Sequence, residues 1–160
     1  MLTRCPVCKE RLLRRRVEMT RKVVGHTFTA LLPAQICGKC GESFFESTVV
    51  AEFDLRVAEA LLQAGETSGA AIRYIRKAAG IAASELAGLL DVRPETVSRW
   101  EHDKRPIDRG SYAVLHQLIL DQDHHSTATA DYLRSLKRPR KLPQRVKLER
   151  KAALPARKSA

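Results

Sequence analysis

Residues 83–101, ASELAGLLDVRPETVSRWE, decide the fold of the larger part of the chain. Leucines three and four residues apart predict a short helix over residues 84–90, and a tight turn follows at 91–93. Pro94 then opens a second helix, because a proline at the first helical position loses no hydrogen bond. A short helix, a tight turn and a second helix with a polar outer face form the layout of a helix-turn-helix. The side chains expected to point inward are Leu86, Leu89, Leu90, Val97 and Trp100.

The helical pattern continues on both sides of this stretch. Apolar residues three and four apart predict a helix that begins near residue 70 and ends at Gly80. After Arg109 comes a helix too apolar for a simple surface element, so we expect it to form a dimer interface or to be buried within its own domain. One more helix is expected over residues 127–136. The apolar residues after Arg109 are Tyr112, Val114, Leu115, Leu118 and Ile119.

The segment 92–101 closely resembles the recognition-helix segment of the phage-repressor-like (Xre/Cro) helix-turn-helix family. The resemblance implies that Val97 and Trp100 pack inward, whereas Pro94, Glu95 and Arg99 face the major groove of DNA. In that family the first of the two helices often begins with a glutamine that contacts a phosphate, and here alanine stands at that position, 83.

Arg99 is the leading candidate for reading a base, because a guanidinium can donate to O6 and N7 of one guanine. The alternative is an arginine that pairs only with a phosphate or with Glu95, one helical turn earlier. Glu95 could accept from a cytosine, but we favour a role in orienting Arg99. Residues in the loop after the helix suit phosphate contacts. The full set expected to contact DNA is Arg93, Pro94, Glu95, Thr96, Ser98, Arg99, Lys104 and Arg105.

All four cysteines fall into two pairs with the same spacing, Cys5-Pro6-Val7-Cys8 and Cys37-Gly38-Lys39-Cys40. This spacing predicts one structural Zn²⁺ held by four thiolates, with no open position for catalysis. Gly38 and Gly41 are expected to let the backbone amides turn toward the sulfurs. Disulfides are disfavoured, since no signal segment precedes the first pair and a cytoplasmic protein keeps its thiols reduced. A redox dithiol needs a βαβ unit, which the pattern lacks, and His26 is expected to be a surface or hairpin residue.

Residues 9–36 alternate in part and predict two strands joined by a turn at Gly25. Such a hairpin would bring Cys8 and Cys37 together, and the metal would supply much of the folding free energy of so small a module. A helix is predicted over 47–64, with Ser47 as its N-cap and Gly65 as its stop, followed by a flexible joint at 65–69. The expected divisions are a zinc module at 1–48, a connecting helix and linker at 49–68, a helix-turn-helix domain at 69–136 and a basic, disordered tail at 137–160.

The formal net charge is +11, and its distribution is uneven. Residues 1–48 carry nine Lys/Arg against four Asp/Glu, and residues 137–160 carry ten against one, whereas 49–136 carry ten against thirteen. A DNA-reading surface in the middle must therefore be a local patch. The basic tail could neutralise phosphates without reading sequence, or it could be a solvated terminus. No stretch approaches the roughly 20 apolar residues of a membrane span.

The order of these features resembles that of the MqsA-type antitoxins and their YgiT-type zinc-finger relatives over about residues 1–120. The resemblance implies that the zinc module is structural and docks a small RNase toxin, while the helical module dimerises, binds a palindromic operator and represses its own operon. The DNA-contacting asparagine of that family falls at Glu95 here and its arginine matches Arg99, so a different operator is expected.

Three functions are compatible with the sequence. A DNA-binding repressor that serves as an antitoxin leads, and a transcription regulator without a toxin has the same architecture. A zinc-dependent protein-interaction adaptor is the third, because the acidic middle and the missing glutamine weaken the expectation of DNA binding. An enzyme is not expected, since the sequence contains no phosphate-cradling glycine loop, no serine nucleophile motif and no metal site with an open position.

Overall fold

The computed structural model describes residues 3–138, 141 and 144–146, and over these residues the chain forms three strands and six helices. The strands pair as one antiparallel sheet in the order β1-β2-β3. The strands are β1 (Leu12–Val23), β2 (His26–Cys37) and β3 (Ser43–Phe44). The helices are α1 (Ser47–Gln63), α2 (Gly69–Ala78), α3 (Ala83–Leu89), α4 (Pro94–Glu101), α5 (Arg109–Asp123) and α6 (Ala128–Leu136).

The predicted hairpin is confirmed. β1 and β2 pair from Leu12 opposite Cys37 to Val23 opposite His26. The turn between them places Val24 and Gly25 at φ of 50° and 77°, the positive pair that matches the twist of a two-residue hairpin. Because the two strands are antiparallel, the end of β2 lies beside the start of β1. Cys37 therefore lies close to the first cysteine pair.

The start of α1 corrects a prediction. Glu46, not Ser47, is the N-cap, with an extended backbone (φ −72°, ψ 142°) and no side-chain hydrogen bond. Ser47 already belongs to the helix, so its hydroxyl cannot act as the cap. The predicted stop is confirmed, since Gly65 follows the C-cap Ala64 at φ +72°.

The hairpin and the helices share one hydrophobic core. Val23 is buried with side chains from α1 to α5, and Met19, Phe28 and Leu32 of the same sheet face pack against that cluster. α1 belongs to this core as fully as the helices after it, because Phe53, Val57, Ala58, Leu61 and Leu62 are all buried in it. The helix-turn-helix is thus built onto a body that includes the hairpin, while the domain limits given above stay a sequence prediction.

A polar network joins three elements at the hairpin's edge. Arg21 of β1 donates to both carboxylate oxygens of Asp54 in α1, at 2.7 and 3.3 Å. The hydroxyl of Tyr74 in α2 donates to the same carboxylate at 2.8 Å. Burial, followed by the hydrogen bond to Asp54, raises the pKa of Tyr74, so the phenol stays protonated. The network fixes how the hairpin lies on the first two helices.

The helix after Arg109 was expected either to form a dimer interface or to be buried within its own domain, and the structure shows the second arrangement. Leu115, Leu118 and Ile119 of α5 are buried within their own chain. The expected last helix is confirmed as α6, whose Thr129 amide donates to the buried Asp121 carboxylate at 2.7 Å. Of the predicted basic tail, residues 139–140, 142–143 and 147–160 lie outside the described part of the chain.

Candidate nucleic-acid interface and metal centre

The predicted helix-turn-helix is present as α3, a turn and α4. Asp91 takes a positive φ of 53° after α3, and the Val92 amide donates back to the carbonyl of Ala87 at 3.0 Å. Arg93 is the N-cap of α4 in extended conformation, and Pro94 occupies the first turn. The proline fixes the start of the second helix, as the sequence predicts.

The inward and outward faces of this unit are also as predicted. Leu86, Val97 and Trp100 are buried, while Leu90 is half-buried against the same core. The Trp100 indole is therefore a core side chain and not a stacking surface. Seven of the eight side chains expected to contact DNA are exposed, namely Arg93, Pro94, Glu95, Ser98, Arg99, Lys104 and Arg105, and Thr96 is half-buried.

An open surface depression of about 530 Å³ gathers part of this set. It is lined by Pro94, Glu95, Ser98, Arg99, His102 and Lys104, so Arg93, Thr96 and Arg105 lie outside its lining. His102 was not among the predicted contacts. Its Nδ1 lies 2.7 Å from the Ser98 carbonyl oxygen, one turn earlier, which holds the ring on this face. His102 follows Ser98 by one helical turn, as Ser98 follows Glu95, so helical periodicity could have identified His102 as part of this face.

The side chains of Glu95 and Arg99 do not pair with each other. The ion pairs of the described residues include none between them, although they are one helical turn apart on the same face. The role of Glu95 in orienting Arg99 thus gains no support from the geometry. Arg99 instead presents an exposed guanidinium in the depression, where a DNA acceptor could meet it.

A buried ion pair positions α4. The Arg76 guanidinium of α2 donates to both carboxylate oxygens of Glu101, at 2.5 and 3.3 Å, and to the Ile81 carbonyl at 2.6 Å. Only 10% and 7% of the two side chains are exposed, so this pair is largely screened from water. Because Glu101 ends α4, the pair fixes the angle at which the helix leaves the core. No local sequence pattern indicates this contact, since its partners are 25 residues apart.

The four cysteine sulfurs converge, as the spacing predicts. All four lie within 4.8 Å of one another, with Cys8–Cys37 at 3.3 Å, Cys5–Cys40 at 3.6 Å and Cys8–Cys40 at 3.7 Å. Sulfurs at about 2.3 Å from a tetrahedral Zn²⁺ are about 3.8 Å apart, so the cluster has nearly the size that the ion needs. His26 is exposed on the hairpin, against the Phe28 ring, and is not part of the cluster.

Two loops of the same shape hold the cysteine pairs. In the first, the Cys5 amide donates to the Glu10 carbonyl and the Lys9 amide donates to the Cys5 carbonyl, at 2.8 and 2.9 Å. In the second, the Cys37 amide donates to the Glu42 carbonyl and the Gly41 amide donates to the Cys37 carbonyl, both at 2.9 Å. Lys9 and Gly41 occupy equivalent positions at φ of 63° and 75°. Gly38 has no positive φ, so the predicted need for glycine there is wrong; the curl requires only the residue after each second cysteine.

The pKa values of the clustered thiols shift in opposite directions. The amides of Cys40 and Lys39 are the main donors that lower the pKa of Cys37, to about 6. The Glu42 amide also lowers the pKa of Cys40, but hydrogen bonds with the crowded thiols and burial outweigh it and raise that pKa to about 12. Four clustered thiols cannot all ionise alone, and a divalent ion that accepts four thiolates removes the conflict. The residues present therefore fit a structural zinc.

Comparison with known proteins agrees with the helical half of this description. The family model described as helix-turn-helix matches residues 72–110, which include α3, the turn and α4. The match supports a DNA-binding transcription regulator of the phage-repressor-like (Xre) class. No curated protein matches the chain. Among the described residues, no helix is both long and apolar enough to cross a membrane.

Proposed function

We propose that the chain is a sequence-specific repressor that serves as the antitoxin of a type II toxin–antitoxin pair and controls its own operon. The observation that carries the DNA-binding part is the exposed polar face of α4, with Arg99 in its depression, on a helix that the buried Arg76–Glu101 pair holds in place. The antitoxin part is supported by the order of the modules, a four-cysteine hairpin ahead of a helix-turn-helix, which resembles the MqsA-type antitoxins.

Within this proposal the residues of the interface divide the work. Arg99 reads a guanine, because its exposed guanidinium can donate to O6 and N7 together. Arg93, Lys104 and Arg105 contact phosphates on either side of the helix. A homodimer would present two copies of α4 to a palindromic operator, with half-sites about 34 Å apart or a multiple of that distance.

The metal has a structural part in the proposal. Cys5, Cys8, Cys37 and Cys40 hold one Zn²⁺, which ties the two loops together and leaves no position for substrate or water. The protein is therefore proposed to bind and not to catalyse. The hairpin module, which carries excess positive charge, is the proposed docking site of the small RNase toxin.

A gel-shift experiment tests the DNA-binding part. The wild type should bind the region upstream of its own gene, and Arg99→Ala should bind it about 5- to 150-fold more weakly, the range for one lost guanine contact. Arg56→Ala is the matched control, since Arg56 is exposed on α1 and is not among the lining residues of the depression. Equal binding by the wild type and Arg99→Ala, or binding by neither, would favour the adaptor function.

The antitoxin part requires a different experiment. Expression of the neighbouring reading frame alone should arrest growth, and co-expression of this chain should restore it. Growth that is never arrested would favour a transcription regulator without a toxin. That second candidate is supported by the helix-turn-helix match at residues 72–110, because this match indicates a DNA-binding regulator and specifies no toxin.

A further inference from the structure

β1 lies at the edge of the sheet, because the strand order is β1-β2-β3. Near its start, the Leu12 amide donates outward to the Thr3 carbonyl at 3.3 Å, so the chain itself covers that end. In the part of the chain that the structure describes, no strand or bridge pairs with the outer side of β1 from Arg16 to Lys22. A long unpaired edge is a template on which another extended segment can add as a strand.

The alternation of the ladder shows which backbone groups of β1 face outward. Pro33 lies opposite Arg16 and has no N–H, so this pair is a non-hydrogen-bonded one. The two kinds of pair alternate in an antiparallel ladder, so Glu18 and Thr20 belong to the same kind as Arg16. In such a pair the N–H and C=O of each residue point away from the neighbouring strand. All three residues are exposed, and each therefore presents one donor and one acceptor on the outer side.

The opposite edge of the sheet is protected, whereas that of β1 is not. β3 pairs with Gln35 and Ile36 of β2, and Pro33 interrupts the outward donors of β2 just before them. β1 contains no proline over its 12 residues. Prolines and covering strands are common means of blocking an edge, so their absence on β1 leaves this edge accessible to a partner.

The side chains beside this edge indicate the chemistry of the partner. β1 carries five Arg/Lys against one Glu. Arg16 and Lys22 are exposed on the outer face of the sheet, and Val17 and Met19 are half-buried on its inner face. Side chains of an added strand would alternate between the same two faces. A segment that alternates acidic and apolar residues therefore fits both faces at once.

We propose that β1 is a docking edge that takes an extended acidic segment of a partner protein as a fourth strand. The backbone groups of Arg16, Glu18 and Thr20 bond the segment, and its carboxylates lie opposite Arg16 and Lys22. A second copy of this chain fits less well, because its own β1 would bring the same excess of cations. The inference goes beyond the proposed function, since it holds whether or not the partner is a toxin and does not depend on DNA binding.

Amide hydrogen exchange, followed by NMR on the full-length, zinc-loaded protein, tests the strand addition. The probe is the synthetic, end-blocked peptide Glu-Val-Thr-Val-Thr-Val-Glu, whose two carboxylates lie opposite Arg16 and Lys22 in an antiparallel strand. With the peptide at ten times its dissociation constant, exchange of the Arg16, Glu18 and Thr20 amides should slow about tenfold, because these amides exchange from the unbound protein.

A second peptide, Lys-Val-Thr-Val-Thr-Val-Lys, separates charge from backbone pairing. It should bind the wild type about tenfold more weakly than the acidic peptide, since two exposed ion pairs become repulsive contacts. Arg16→Glu should weaken binding of the acidic peptide and strengthen binding of the basic one.

A pair of proline variants identifies the edge that is used. Thr20→Pro removes an outward donor from β1, and Thr29→Pro is the matched control, because Thr29 lies opposite Thr20 and its amide faces the other edge. Thr20→Pro should bind the acidic peptide about five- to tenfold more weakly, as expected for a lost hydrogen bond. Thr29→Pro should bind it like the wild type. Circular dichroism checks that both variants keep their strands, and Arg16→Glu tests the edge without a proline.

Several results would overturn the proposal. These are unchanged exchange of the outward amides, equal binding of the two peptides by the wild type, and equal losses in the two proline variants. Outward amides that are already protected without peptide, in a protein that sediments as a dimer, would assign the edge to a second copy. Binding of a thymidine oligonucleotide that Arg16→Glu abolishes, with no binding of the acidic peptide, would assign the cations to a nucleic acid.

Discussion

At the scale of single residues, Gly69 has a role that its sequence context hides. It is the first residue of α2, and its amide donates to the Asp103 carboxylate at 2.6 Å, just beyond α4. A Cβ at this position would lie 2.7 Å from the Trp100 carbonyl oxygen and from the Glu101 carbonyl carbon. The glycine is required because the backbones of two helices meet there, and not because the chain must bend.

Gly69→Ala should therefore destabilise the protein. A methyl group that displaces packed backbone costs about 1–3 kcal/mol, and the shift it forces on the end of α4 should also weaken DNA binding. Urea unfolding followed by Trp100 fluorescence and a gel shift measure the two effects. Gly38→Ala is the control, since a Cβ there meets nothing within 4 Å. Equal stability of the two variants would contradict this account of Gly69.

Residue chemistry could be predicted where spacing alone determines it. The cysteine spacing predicts the four-sulfur cluster, and helical spacing separates buried Val97 and Trp100 from exposed Arg99. The prediction that Gly69 belongs to a flexible joint is wrong. A glycine can be needed for a turn or for the close approach of two backbones, and the sequence alone does not distinguish these two uses. Lys9 is a related case, since a lysine takes the positive φ that glycine takes in the second loop.

At the scale of elements, the buried pair of Arg76 and Glu101 connects α2 to the end of α4. The guanidinium also satisfies the Ile81 carbonyl at the start of the loop to α3. One side chain thus holds three parts of the helix-turn-helix in register. Removing one partner would leave the other charge buried without compensation, which costs far more than the pair itself contributes.

Glu101→Ala should lower the free energy of unfolding by about 3–5 kcal/mol. Glu85→Ala removes one of the two partners of Arg134, which also pairs with Asp131. The side chains of the Glu85–Arg134 pair are 45% and 52% exposed, so the loss should cost no more than about 1 kcal/mol. Chemical denaturation of the two variants and the wild type gives the comparison. A loss for Glu101→Ala as small as that for Glu85→Ala would mean that the pair is not effectively buried.

The elements themselves were largely predictable, and their contacts were not. Turn residues and periodicity predicted the hairpin and the helices, because these signals act over a few residues. The N-cap of α1 was missed by one residue, since Ser47 suits a cap but the chain enters the helix at Glu46. The Arg76–Glu101 pair has no periodic signal, because it depends on how two helices cross.

At the scale of the whole molecule, the hairpin and the helix-turn-helix are parts of one packed body. Val23 of β1 belongs to the core that also contains Trp100. Arg21, Asp54 and Tyr74 join the hairpin to α1 and α2 through hydrogen bonds. The composition of the sequence suggests a division near residues 65–69, because glycine and polar residues cluster there, but composition does not report which faces later pack together. A change at the cysteine cluster should therefore alter the stability of the helices as well.

If the four cysteines hold Zn²⁺ as proposed, its removal should destabilise the entire protein. Without Zn²⁺ the two cysteine loops lose their common anchor, the hairpin frays, and the core that it covers becomes exposed. We expect one unfolding transition, lowered by more than about 10 °C, when a chelator is added. Trp100, the only tryptophan, is 3% exposed in the helical core, so its fluorescence reports whether the effect reaches that core. A Cys5→Ser variant should already melt at the lower temperature and respond little to the chelator. A tryptophan transition that stays in place while strand signal is lost would instead mean that the hairpin unfolds independently of the helix-turn-helix.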